Sequence, residues 1–151
     1  MLSRKWLLLA ALFVSCSTPT SPTSSSSSPT LQRPWKLELA TSGGVTGRGM
    51  GTIRMDSDGT ATVGDCTSNI TDEDLRRFDA LLANARPATW RASYVPENPC
   101  CDRFEYALTI EAGGKTHKTA WIDDPLPMPA DLTALGEALQ RELRERRCGN
   151  P

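Results

Sequence analysis

Histidine occurs once in the 151 residues, aromatic side chains make up 6%, and the charges almost cancel, 17 basic against 18 acidic. Each shortage excludes something. One histidine, His117, cannot furnish the histidine-rich ligand sets of most zinc enzymes. The near-neutral balance lacks the basic stripe of a nucleic-acid binder. The longest apolar run, Trp6–Val14, is nine residues, whereas a membrane-spanning helix needs roughly 20. The length fits one domain and excludes a large multi-domain enzyme.

The first 30 residues are not domain material. Arg4 and Lys5 precede the apolar run, and Ser15 and Cys16 follow it, which is the layout of an export signal. An apolar core, a small residue and a cysteine resemble a bacterial lipobox, with Phe13 where an aliphatic residue is usual. The resemblance implies a signal peptide over 1–15, cleavage before Cys16 and lipid attached there. The anchor is then a membrane tie, each buried CH₂ contributing about 0.8 kcal/mol. Ser17 after the cysteine suggests no retention at an inner membrane. The expected location is the cell envelope, facing the periplasm or exterior. Residues 17–30 are all Ser, Thr or Pro. They have no apolar surface to bury, so residues 16–34 read as a lipidated cysteine and a disordered tether. The root-mean-square reach of residues 17–30 is on the order of 20 Å.

The domain is expected over 35–148. Removing residues 1–30 takes away only Arg4 and Lys5, so 15 basic side chains face 18 acidic ones and the net charge is −3. Trp35–Ala40 alternates apolar and polar residues and predicts a strand. Thr41–Gly44 predicts a turn, Gly51–Asp56 and Thr60–Val63 two more strands, with Ser57–Gly59 a tight turn between them. Leu75, Phe78, Leu81, Leu82 and Ala85 recur at helical spacing, predicting a helix over Thr71–Ala85. Thr71 and Asp74 form a short-armed capping box at its start, and Pro87 stops it. Phe104–Glu111 and Lys115–Asp123 predict a hairpin turning at Gly113–Gly114. Leu132, Leu135, Leu139 and Leu143 line a final helix over Ala130–Arg147, with Glu142–Arg147 a solvated end. The fold class is therefore α+β, an antiparallel sheet with two helices on one face, in the order β-β-β-α-β-β-α.

Cys66, Cys100, Cys101 and Cys148 form an even set in an exported domain, which favours disulfides. A bridge between adjacent Cys100 and Cys101 is strained, so each is expected to reach one of Cys66 and Cys148, with the pairing open. A Cys₄ zinc site is disfavoured because no C-x₂-C pair is present. No catalytic, metal or cofactor site emerges. His117, on the more exposed face of its strand, has no nucleophile or carboxylate at a telling spacing. Gly47–Gly51 lacks the Lys-Ser/Thr of a phosphate-binding loop. Asp56, Asp58 and Gly59 are too short for a calcium loop, and Asp123–Asp124 read as a strand terminus. The expectation is a non-enzyme without a cofactor.

Three stretches, in order, resemble the emfourin family, bacterial protein inhibitors of thermolysin-like metalloproteases. The first is the strand ending in Ser42-Gly43-Gly44, followed by Val45 and Gly47. The second is Asp102, Phe104, Tyr106, Leu108 and Ile110. The third is Asp124 and Pro125, then Pro129 and the helix of Leu132 and Leu135. The resemblance covers most of residues 35–145. The tether, the glycine-rich insertion at 48–51 and the four cysteines depart from the family pattern. The resemblance implies a thermolysin-like protease as partner. The small, glycine-rich loop Thr41–Gly47, with Ser42, Gly43, Gly44, Val45, Thr46 and Gly47, is the expected inhibitory element, since its backbone can approach a protease closely. The loop around Asn98–Arg103, which carries Asp102, is a second candidate. The competing expectation is a non-catalytic binding or structural lipoprotein with no protease target.

Overall fold

A computed structural model describes residues 33–98 and 102–146. The signal, the tether up to residue 32, Cys16, Cys100, Cys101, Arg147 and Cys148 lie outside these residues. Six strands form one antiparallel sheet: β1 (Trp35–Gly43), β2 (Gly51–Asp56), β3 (Thr60–Val63), β4 (Cys66–Asn69), β5 (Phe104–Ala112) and β6 (Lys115–Ile122). Their order across the sheet is β4-β3-β2-β1-β5-β6. Helices α1 (Asp72–Asn84) and α2 (Ala130–Glu145) complete the α+β fold.

Alternation decides which face is covered. Trp35, Leu37 and Leu39 of β1 stand beside Ala112, Ile110 and Leu108 of β5, and Leu37 and Leu39 beside Met55 and Ile53 of β2. All are buried in one cluster with Leu75, Phe78 and Leu82 of α1 and Leu132, Leu135, Leu139 and Leu143 of α2. Both helices therefore pack on this one face. Each of these large side chains contributes about 1.5–3 kcal/mol by leaving water. The other face carries Lys36, Glu38, Arg54 and Asp56, tied in the pairs Lys36–Asp56 and Arg54–Glu38. An antiparallel sheet tolerates one solvated face.

The helix limits follow local chemistry. The Thr71 hydroxyl accepts from the Asp74 N–H at 3.1 Å, capping α1. The Asp74 carboxylate accepts from that same hydroxyl at 2.9 Å. α1 ends at Asn84, and Pro87 opens a short 3₁₀ turn, Pro87–Thr89. The β5–β6 turn uses Gly113 and Gly114, both at positive φ, as a two-residue hairpin of this kind requires.

Four expectations are corrected. A fourth strand, β4, precedes α1; its Cys-Thr-Ser-Asn has no apolar alternation, and it forms because Gly64 and Asp65 turn the chain back onto β3. Ser42 and Gly43 belong to β1 and pair with Glu105 and Phe104, so the loop begins at Gly44. His117 stands opposite Ile110, on the core side of the sheet and half-buried, not on the exposed face. The end of α2 is not fully solvated: Glu142 is 3% exposed and pairs with Arg77 of α1 and, at 2.6 Å, with Arg146. Arg146 in turn donates to Ser68 Oγ and to the Asn69 carbonyl, clamping β4.

Candidate functional site

The β1–β2 connection is a built loop. The Gly44 N–H donates to the Arg103 carbonyl at 2.9 Å, the Gly47 N–H to the Gly44 carbonyl at 2.9 Å, and the Gly49 N–H to the Gly43 carbonyl at 2.9 Å. At its base the Thr41 hydroxyl donates to the Gly51 carbonyl at 2.8 Å and accepts from the Met50 N–H at 2.6 Å. Thr41 is buried polar with its needs met, which sets the loop's width. Glycine is required at three points by close approach. A Cβ on Gly43 falls 2.2 Å from the Arg103 carbonyl oxygen, one on Gly44 falls 2.7 Å from the Phe104 ring, and one on Gly49 falls 2.3 Å from the Thr41 carbonyl oxygen. All three residues also sit at positive φ, which side chains resist.

This loop carries Val45 at its apex, 89% exposed. A single exposed apolar side chain is ordinary on a protein surface; what sets Val45 apart is that the loop carrying it is hydrogen-bonded at its base and turns. Thr46 and Gly47 beside it are exposed as well. The expected site residues thus divide. Gly44, Val45, Thr46 and Gly47 form the loop, Ser42 and Gly43 its strand base, and Asp102 stands one residue from the carbonyl that holds Gly44. The structure brings all of them to one end of the sheet.

The hub of this end is Arg103, which the sequence marked only as the last residue of the second candidate loop. Its carbonyl holds the Gly44 turn. Its guanidinium donates to the Asp123 carbonyl at 2.8 Å and to Asp124 Oδ2 at 3.1 Å. One residue therefore joins the loop to the segment after β6. Asp123 is fully engaged: its Oδ2 accepts from the Phe104 N–H at 3.1 Å and its Oδ1 from the Tyr106 hydroxyl at 2.9 Å. Burial, and then the hydrogen bond to Asp123, push the Tyr106 phenol up to about 12. Asp102 and Asp124 are the two non-glycine residues at positive φ among the described residues, and both lie here. The sequence signal was only the short polar side chain, which tolerates this conformation better than most.

The other expected candidates are structural. Asp56 pairs with Lys36, and Asp58 accepts from the Thr60 N–H at 2.9 Å. Gly47–Gly51 runs into a strand, not a helix. Cys66 is disulfide-bonded and starts β4. Among the described residues, no group of three or more His, Cys, Asp or Glu side chains is arranged to hold a metal ion. No described helix is long and apolar enough to cross a membrane. The chain matches no protein-family model, no curated protein and no solved structure.

Proposed function

We propose that the chain is an exported, lipid-anchored inhibitor of a thermolysin-like metalloprotease that blocks the protease cleft with the loop Gly44–Gly47. One observation carries the reading: an apolar side chain, Val45, is held almost fully exposed at the tip of a loop whose base and turns are hydrogen-bonded. A loop already ordered in the free protein loses little conformational entropy on binding, which favours affinity. Its glycines let the backbone approach a cleft wall closely. The resemblance of residues 35–145 to emfourin-type inhibitors names the target class. The reading includes lipid on Cys16, an envelope location and no enzymatic activity.

The test is an inhibition titration of several thermolysin-like proteases, using the chain from residue 16 with Cys16→Ser, made under oxidising conditions. The expected result is stoichiometric inhibition without cleavage of the domain. Val45→Asp is expected to weaken it tenfold or more, about 1.4 kcal/mol or beyond, with the melting temperature unchanged. Gly44 is the wrong position for this test, because any side chain there strikes the Phe104 ring and disturbs the fold. A folded domain that inhibits no protease in the panel replaces the reading with that of a tethered binding module.

A further inference from the structure

The same end of the molecule carries a second feature that the loop does not use. Between the segment after β6 and the flank of α2 lies a groove of about 320 Å³. Its walls include Trp121, Leu126, Met128 and Gly136, and its rim includes Asp124 and Glu137. Leu126 is 37% exposed and, with Val45, is one of the two exposed large apolar side chains among the described residues. Gly136 brings α2 close to the indole: a Cβ there falls 3.0 Å from Trp121 Cζ2. Trp121 is held from the other side by Tyr106, stacked at 5.5 Å, so the groove wall is fixed.

The rim is where the groove differs from a plain apolar dent. Asp124 is 86% exposed at its side chain and, among the described residues, meets Arg103 through one oxygen. Glu137 is exposed and forms no ion pair among the described residues. Apolar walls with carboxylates at the mouth complement a side chain with a methylene stem and a cationic head. We propose that this groove is a second docking subsite, which takes a lysine or arginine side chain from the protein that the Val45 loop engages. Arg103 links the two subsites, since its carbonyl holds Gly44 and its guanidinium holds Asp123 and Asp124. This proposal rests on the reading of that loop as a recognition element, but the groove can be probed without a protease.

The experiment is an NMR titration of the full chain from residue 16, carrying Cys16→Ser, with the capped tripeptide Ala-Lys-Ala. The control peptide has norleucine in place of lysine, which keeps the stem and removes the charge. The expected result is chemical-shift change at the Trp121 indole N–H and the Leu126 and Gly136 amides with the lysine peptide. The norleucine peptide and the double variant Asp124→Asn/Glu137→Gln are expected to bind at least fivefold more weakly. Asparagine retains tolerance of positive φ at position 124, and Glu137 is exposed, so both changes spare the fold. Shifts that map elsewhere, or that are equal for both peptides, overturn the subsite. A second arm uses any protease found to be inhibited: equal inhibition by the wild type and the double variant overturns the role of the groove in that complex and leaves the loop reading standing. A protease panel without inhibition, beside lysine-dependent shifts at the groove, removes the loop reading alone.

Discussion

At the scale of single residues, the end of the sheet that carries the Gly44–Gly47 loop is organised by buried or bonded polar groups. Tyr106 shows this most directly. Its phenol is raised from an ordinary value of 10.0 to about 12, by burial and by the Asp123 carboxylate it bonds. The unfolded chain ionises it more readily than the folded one does. The stability it contributes is therefore complete below pH 10 and is lost as pH rises from 10 towards 12. The phenolate absorbance of Tyr106, isolated by difference against Tyr106→Phe, is expected to rise near pH 12. A midpoint near 10 removes the burial and the bond as its causes. Asp79 works the other way. Hydrogen bonds from Arg33 and Trp35 outweigh burial and hold its carboxyl below the ordinary value. Its contribution is present at neutral pH and fades as pH falls through that lowered value. Glu142 shows the limit of charge patterning as a guide. In sequence it lies among arginines and glutamates and reads as solvated. It is buried because a cation from another element, Arg77, meets it beside its own i+4 neighbour, Arg146.

At the scale of elements, periodicity carried most of the information. Strands with apolar alternation and helices with apolar faces were legible because one face of each is buried in the same core. β4 was not legible, since an exposed edge strand of polar residues has no face to bury and is placed by its hairpin and by Arg146. The continuation of β1 through Ser42 and Gly43 was hidden for a related reason. Glycine normally signals a turn, but here its missing Cβ allows the Arg103 carbonyl to lie alongside. The candidate loop was found from its residues and its family resemblance, whereas the role of Arg103 as hub and the groove at Trp121 arise only from tertiary placement. The α1 cap gives a clean test at this scale. Thr71→Ala removes the acceptor of the Asp74 N–H and is expected to destabilise the domain by about 1 kcal/mol, read as a lower denaturation midpoint with an unchanged slope. No change shows that the side-chain cap is dispensable.

At the scale of the whole molecule, β1 gives the domain a direction. It begins at Trp35, two residues after Arg33 is fixed to Asp79 by a bidentate ion pair, and it ends at Gly43 beneath the Gly44–Gly47 loop. Its nine residues are separated by eight rises of about 3.4 Å, which place these ends about 27 Å apart. With Cys16 lipidated as proposed, deleting residues 20–29 is expected to leave inhibition by the vesicle-bound protein nearly unchanged, because the loop already faces away from the attachment point. A large loss of inhibition in that assay shows instead that the domain works with its loop turned towards the lipid. The strand thus acts as a mast. Held upright, the domain lifts its tip by that height above its root, whereas laid on its side it brings the tip level with the root without stretching the tether. With Cys16 lipidated as proposed, the length of this mast sets the band of heights above the bilayer over which the loop can be presented.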